Sequence, residues 1–422
     1  MELDKKVMKN LFLFTTGKAV SIFGSSVYTF AISLYVLKLT GSALNYATTL
    51  MLSVIPMIII SPIAGVIADR IPKKWLVVGM DLANGVLFIL IFAYASTVNL
   101  TLPVIYLSTI LLNIFTTFFG IGIEAAKPSL ITSDKLIKIN SLSKLIDSTS
   151  SILGPIIGGI IFAFINIKYF ILFNAISFIF SAITECFIDF HLNPIHNNET
   201  DYKRNSFTTD LKEGWLFFAR NRSILELFFV FVSLNFLLGF SVNVPAPYII
   251  NQLMHLPSSS FGIINSMFPV GLIIGTLSVE KIMRKIEFRK LLISMNGLIA
   301  ILAMLVGLPV FLKLNNGFSF IFYAAIFTLM GIAIAYVDVP LMTILQNEIP
   351  QKLLGRVLSI IMSLVKVILP VALITSGALI GKISITLLPI LGATIPLFYS
   401  IYLLVLHHDK NTLLMNKTEQ TE

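Results

Sequence analysis

The residues best suited to chemistry form a short charge cluster that directly follows an apolar stretch. The cluster begins at Gly65 and holds one acid and three cations, Asp69, Arg70, Lys73 and Lys74. Charges so closely spaced can join the ends of neighbouring helices through ion pairs and through the helix dipoles. They would then act as a latch between helices. The alternative interpretation is a set of solvated loop charges.

A second charge cluster repeats the order of the first one 211 residues later. Its members are Glu280, Lys281, Arg284 and Lys285. In the same way Glu124 has an acidic counterpart, Asp338, 214 residues further along the chain. Landmarks with nearly one offset indicate two halves related by an internal repeat. In transporters, such repeats place the substrate path between the halves.

Twelve apolar stretches separate these charges, and each is long enough to cross a bilayer, which takes about 20 residues of helix. They are 11–36, 43–68, 75–96, 102–123, 143–166, 169–190, 224–249, 259–280, 291–311, 317–340, 357–380 and 385–406. Hydrophobic residues make up 56% of the chain, charged residues 12%, and the mean hydropathy is +0.92. The sequence therefore predicts a multi-pass membrane protein and not a soluble domain.

The lysine and arginine residues fall almost entirely on one side of the predicted membrane. Of 30 such residues, two lie within spans, and the loops of the opposite side hold only Lys38, Lys168, Lys313 and Lys382. The positive-inside rule then places both termini in the cytoplasm, and we expect a bacterial plasma-membrane protein that is a monomer. The net charge of +9 follows from this bias, so nucleic acid is not an expected partner.

The longest polar stretch divides the chain into three parts. We expect a six-helix bundle at 1–190, a cytoplasmic loop at 191–223, and a second six-helix bundle with a short tail at 224–422.

The loop itself contains a predicted amphipathic helix. Asp210 and Glu213 have the spacing of a capping box, and Leu211, Trp215 and Phe218 follow on one helical face. This helix could lie on the cytoplasmic leaflet, or it could simply link the two bundles, and both can hold together.

The first charge cluster, in GVIADRIPKKWLVVGMDL, resembles the signature between the second and third helices of the major facilitator superfamily. Three further segments resemble its drug:proton antiporter branch, which includes macrolide efflux pumps and siderophore exporters. They are TGSA at 40–43, LKEGWLFFARN at 211–221 and IPQKLLGRVLSI at 349–360, which contains Gly355 and Arg356. The resemblance implies an all-α fold of twelve transmembrane helices in two pseudo-symmetric six-helix bundles. It also implies a gating role for the charge clusters, with Glu124 as the acceptor for Arg70.

The segment SSILGPIIGG resembles the antiporter motif that separates exporters from uptake systems in this superfamily. It contains Gly154, Pro155, Gly158 and Gly159, although a serine stands where the family has an earlier glycine. Small residues four apart allow helices to approach closely, and the proline permits a bend. Ordinary packing of membrane helices is the alternative interpretation.

Charges inside the spans are functional candidates, because a lone charge at the bilayer centre costs about 2.5–3.5 kcal/mol. Lys18 and Lys366 are candidates for the substrate cavity, while Lys18 could instead extend to the membrane surface and Lys366 could pair with Glu226 or Asp338. Glu124 and Asp338 are candidates for proton coupling, and they could equally be structural partners of Arg70 and Arg284.

No enzyme motif stands out in the sequence. GIGIEA at 120–125 lacks the strand of a dinucleotide loop, and His407 and His408 lack metal-ligand spacing, so we expect no catalytic residue, cofactor or metal. The sequence favours a proton-coupled exporter of amphipathic small molecules. The alternatives are an exporter of one endogenous product, such as a siderophore or peptide, and a membrane receptor that does not transport.

Overall fold

The computed structural model describes residues 2–192 and 207–401. Within these ranges the regular secondary structure is helical, apart from one β-bridge between Ile380 and Ile383. The chain separates into two compact units. Unit 1 comprises Met1–Lys203 with His255–Ser266, and unit 2 comprises Arg204–Met254 with Met267–Glu422.

Six long helices form the first part of unit 1. They are α1 Glu2–Thr40, α2 Ala43–Arg70, α3 Lys73–Thr97, α4 Leu102–Leu130, α5 Leu136–Phe164 and α6 Ile167–Cys186. The turn from α1 to α2 requires Gly41, whose φ of 62° is unfavourable for other residues. Ser42 then caps α2 by accepting a hydrogen bond from the Asn45 amide at 3.3 Å.

The interior of unit 1 is built around α1, α3 and α6. In it α3 packs on α4 and α6, while α1 packs on α5 and α6. Buried rings join these helices: the centroids of Tyr28 and Phe88 lie 4.6 Å apart, and those of Phe88 and Phe178 lie 5.6 Å apart. The Tyr28 hydroxyl lies 3.2 Å from the Ser108 hydroxyl of α4, so its polar end has a partner.

Unit 2 follows the same plan of long apolar helices, preceded by a short one. Its helices are α7 Phe207–Arg220, α8 Arg222–Leu253, α9 Ser258–Met283, α10 Phe288–Met304, α11 Asn316–Glu348, α12 Gln351–Leu379 and α13 Leu387–Ile401. The first residues of α9 belong to unit 1. Two π-helical turns interrupt α8 around Pro245 and Pro247, which cannot donate backbone hydrogen bonds.

Every predicted span has a helix in the described part of the chain. Among the described residues, eleven helices are long and apolar enough to cross a membrane, and α13 is a shorter apolar helix. The helix ends were predicted less well than the spans: α1 begins nine residues before the predicted span, and α11 runs for 33 residues, or about 50 Å. Hydropathy detects only the lipid-soluble part of a helix, whereas these helices continue beyond it with polar ends.

The predicted amphipathic helix is α7, but its start differs from the prediction. Its described part runs from Phe207 to Arg220, so Asp210 lies inside the helix and is not its cap. Phe218 is buried, and its ring centroid lies 5.2 Å from that of Phe228 on α8. This helix therefore packs on α8 within unit 2, while Trp215 and Leu216 remain exposed. A position on the membrane surface stays a prediction.

Candidate functional site

The first charge cluster lies at the junction of α2 and α3. Asp69 and Arg70 end α2, and Lys73 and Lys74 begin α3. The side chain of Arg70 is exposed, while that of Asp69 lies outside the described part. A cation at the C-terminal end of a helix interacts favourably with the dipole, but two lysines at an N-terminus do not. Helix stability therefore does not explain this arrangement of charges.

The second charge cluster lies at the end of α9. Arg284 pairs with Glu280 one turn earlier at 2.7 Å, and both side chains are more than three-quarters exposed. An exposed pair of this kind contributes at most about 1 kcal/mol. Asp338 was a predicted partner of Arg284. It is partly buried in α11, and no ion pair joins it to another residue in the described ranges.

Unit 1 contains a charged network that joins α1, α4 and α5, here called the lysine–carboxylate cluster. It consists of Lys18, Glu124, Lys127, Ser143 and Asp147. The Lys18 ammonium lies 3.3 Å from Glu124 Oε1 and 3.1 Å from Asp147 Oδ1, and it also donates to the Ser143 hydroxyl. On the other side of Glu124, Lys127 Nζ lies 2.5 Å from Oε2.

Burial within the lysine–carboxylate cluster is uneven. The Lys18 side chain is only 4% exposed, whereas those of Glu124 and Asp147 are 53% and 44% exposed. Two anions balance two cations, so the buried ammonium is compensated and fixed. Lys18 thus does not extend to the surface in search of water. Its contacts tie three helices together and leave two carboxylates open to a solute.

The sequence identified part of this cluster, with a different partner for Glu124. Glu124 was predicted to accept Arg70, yet its ion pairs are with Lys18 and Lys127. The spacing of Glu124 and Lys127 along one helix was a usable signal for the second pair. Asp147 had no such signal, because its contact with Lys18 depends on how α1 packs against α5.

Lys366 lies midway along α12, and its side chain is exposed. No ion pair joins it to another residue in the described ranges. Its predicted partner Glu226 instead lies 3.3 Å from Arg222 on α8. The Lys366 ammonium is therefore not compensated by a carboxylate of the described residues.

The segment with Gly355 and Arg356 begins α12, where it meets the short helix α7. Arg356 Nη1 lies 2.8 Å from Glu213 Oε2. A Cβ on Gly214 would lie 3.1 Å from the Cβ of Arg356, so the two helices touch closely at this point. The contact fixes α7 to the first turns of α12.

The predicted antiporter segment lies in the middle of α5, and its three glycines and Pro155 are buried. Gly154 and Gly158 face α1, where Ser26 and Phe30 leave no room for a larger side chain. A Cβ on Gly159 would lie 2.6 Å from the carbonyl oxygen of Ser258, at the start of α9. The segment is thus a contact surface for α1 and for the first turn of α9, both within unit 1.

Comparison with known proteins decides the family of this chain. Residues 14–371 match the family model of the Major Facilitator Superfamily. The chain belongs to the Major Facilitator Superfamily. Members of this superfamily are membrane transporters, so this chain is a multi-pass transporter of small molecules and not an enzyme.

Superfamily relatives with curated names resemble the chain over most of its length. Macrolide efflux protein A of Streptococcus pyogenes is 22% identical over 380 residues, which cover 87% of this chain and 89% of that protein. An uncharacterized MFS-type transporter of Bacillus subtilis, YfmI, is 23% identical over 386 residues, with 90% and 92% covered.

Solved structures agree with the superfamily fold. A bacterial homologue of the iron transporter ferroportin, in an inward-facing state, aligns with a TM-score of 0.69 at 15% identity. The alignment covers 94% of this chain and 98% of the homologue. At this identity the likeness concerns the fold alone.

Proposed function

We propose that this transporter exports amphipathic small molecules, of a macrolide- or multidrug-like kind, in exchange for protons and by alternating access. The observation that carries the proposal is the similarity to Macrolide efflux protein A, which extends over 87% of the chain at 22% identity. The close packing of Gly154, Gly158 and Gly159 supports export, because this segment resembles the antiporter motif.

We further propose the arrangement of the protein in the membrane. Both termini would lie in the cytoplasm of a bacterial cell, and a monomer with bundles at 1–190 and 224–422 would suffice for transport. The distribution of lysine and arginine supports this orientation. The two charge clusters and the Arg356 contact would then lie on the cytoplasmic side, where they act as gates.

A second candidate is export of one endogenous anionic product. Lys366 favours it, because its exposed ammonium has no ion pair with any described residue and could bind a carboxylate. The two candidates share fold and direction and differ only in the ligand.

A susceptibility panel tests the substrate class. Cells that express the protein should tolerate several-fold higher concentrations of macrolides than cells that lack it. Asp69→Asn should abolish this protection at an unchanged membrane amount, whereas Asp134→Asn, a change of an exposed acid in the same unit, should retain it. If cells with and without the protein were equally susceptible to every amphipathic compound tested, the first candidate function would be contradicted.

A vesicle experiment tests direction and coupling. Inside-out vesicles should accumulate a labelled macrolide when their lumen is acidic, and an ionophore that dissipates the gradient should stop accumulation. Accumulation that ignores the gradient would refute proton antiport, and net uptake by intact cells would refute export.

A further inference from the structure

Two carboxyl groups outside the lysine–carboxylate cluster are fully buried in unit 1. Asp81 on α3 and Glu185 on α6 both have an exposed fraction of 0%. Their helices pack on each other, and α6 also packs on α1. Acidic side chains are almost never fully buried unless they are paired, so this position calls for an explanation.

Two serines connect these carboxyl groups to neighbouring turns of α1, at Ser21 and at Gly17. Ser21 donates a hydrogen bond to Asp81 Oδ1 at 2.9 Å. The Ser181 hydroxyl lies 2.8 Å from the Gly17 carbonyl oxygen and 3.2 Å from Glu185 Oε1. The backbone of Gly17 directly contacts Glu185, since a Cβ there would lie 2.9 Å from Oε1.

The hydrogen count at Ser181 is informative. A hydroxyl has one hydrogen, and Ser181 faces a carbonyl and the Glu185 carboxyl group, both of which accept hydrogen bonds when the acid is ionised. If its hydrogen goes to the Gly17 carbonyl, the contact with Glu185 is a hydrogen bond only when the Glu185 carboxyl group is protonated and donates. The geometry therefore suits a site that holds a proton.

No described cation forms an ion pair with either acid. The charged or titratable groups near this contact, or on the helix packed behind it, are Lys9 and Lys18 on α1, Lys73 and Lys74 on α3, Glu124 and Lys127 on α4, Cys186 on α6, and Asp189 and His191 just after α6. The Lys18 ammonium is directed to Glu124 and Asp147, Lys127 also binds Glu124, and Cys186 is exposed. Within the described ranges, no neighbouring cation therefore neutralises Asp81 or Glu185.

Polar atoms without partners extend from this site along the same helices. One oxygen of each acid, Asp81 Oδ2 and Glu185 Oε2, has no hydrogen-bond partner among the described residues. The same holds for the side-chain oxygen and nitrogen of Asn84 and for the side-chain nitrogen of Asn174. Asn84 follows Asp81 by about one turn, and Asn174 precedes Ser181 by about two turns, so each shares a helical face with the site. A purely apolar helix contact would not contain such groups.

We propose that Asp81 and Glu185 form a buried acid pair that binds the proton exchanged for substrate. The proposal rests on the proposed proton antiport, and it moves coupling away from Glu124, whose charge is balanced by two lysines. A proton from water binds one carboxylate oxygen, which changes the charge of the pair from −2 to −1, and its release to water restores −2. Two buried carboxyl groups on helices that pack together, without a compensating cation, favour binding of one proton between them, and a change in their access to water can release it.

The test uses the full-length protein in liposomes, with erythromycin, a macrolide, as the probe. Asp81→Asn and Glu185→Gln should each lose at least tenfold in accumulation driven by a proton gradient. They should keep gradient-free exchange of labelled for unlabelled erythromycin, because exchange needs no net proton movement. Asp134→Asn serves as the matched control and should behave like wild type.

Each outcome bears on a different claim. A wild-type protein that ignores the gradient would overturn proton antiport itself. Gradient-driven accumulation within twofold of wild type in both variants would overturn the acid pair while antiport stands. If folded variants lose both exchange and accumulation, the two acids are required for the transport cycle in general. That result would also count against a specific role in proton binding.

Two further measurements do not depend on the yield of those variants. Ser181→Ala removes the hydroxyl that contacts Glu185 but keeps both acids, and it should shift the pH at which accumulation is half-maximal. Infrared spectra of the wild-type protein should contain the C=O band of a protonated carboxyl group that persists at neutral pH and is lost at high pH. An unshifted pH profile and the absence of this band would overturn the proposal.

Discussion

At the scale of single residues, Lys18 shows how a charge is accommodated inside a membrane helix. Its ammonium has two carboxylates within 3.3 Å, so the cost of burial is offset by charge-assisted hydrogen bonds. Asp147 depends on this contact more than Glu124 does, because Glu124 retains Lys127. We therefore expect Lys18 to stabilise the fold mainly through its ion pair with Asp147.

A double-mutant cycle can measure that dependence. Lys18→Met should lower the free energy of unfolding by about 1–3 kcal/mol, because it removes the charge-assisted hydrogen bonds from the Lys18 ammonium to Asp147 and Ser143. Adding Asp147→Asn should recover part of the loss, while adding Glu124→Gln should recover less. Thermal unfolding in detergent gives these values. Strictly additive losses for Lys18 and Asp147 would contradict a direct interaction between them.

Lys366 leads to the opposite expectation, because no described carboxylate is stranded by its removal. Lys366→Met should leave the unfolding temperature unchanged or slightly higher. If the ammonium binds an anionic ligand, transport of that ligand should fall about tenfold, the loss expected from about 1.4 kcal/mol of binding. Lys366→Arg is the control and should retain most activity. Unchanged transport in Lys366→Met would exclude a role in the ligand path.

At the scale of helices, apolar length predicted the spans, and contacts between helices were beyond the reach of the sequence. Each apolar stretch predicted a helix because backbone polar groups in lipid must bond within the segment. The partner of Glu124 and the acid pair of Asp81 and Glu185 depend on which faces of separate helices meet. The spacing of residues along one helix does not indicate such contacts. Only the pair of Glu124 and Lys127, which lie one turn apart on the same helix, could be predicted from the sequence.

The glycine contact on α5 gives a prediction at this scale. Gly159→Ala places a Cβ 2.6 Å from the Ser258 carbonyl, so the backbones must separate. Overpacking of this kind costs about 1–3 kcal/mol, and transport should fall with it. Gly120→Ala on α4 is the matched control, since a Cβ there meets no atom within 4 Å. Equal stability and activity of the two variants would show that the close approach has no consequence.

At the scale of the whole molecule, the charge distribution sets the orientation in the membrane. Only four of the 30 lysine and arginine residues lie in the loops of the sparsely charged side, among them Lys38 and Lys168. These two also have aromatic neighbours: Lys38 Nζ lies 5.4 Å from the ring centroid of Phe162, and Lys168 Nζ lies 5.9 Å from that of Phe92. Cation–π contacts of this kind suit a cation that must stay at the membrane surface.

The orientation can be tested with single cysteines, because Cys186 is the only cysteine in the chain and can be changed to serine. In that background, Asn99→Cys lies in the exposed turn between α3 and α4, and Lys285→Cys lies in the exposed turn after α9. A membrane-impermeant maleimide should label the first variant on intact cells and the second only after the cells are opened. This result follows if basic loops stay in the cytoplasm. The reverse pattern would invert the topology and, with it, the direction of the proposed transport.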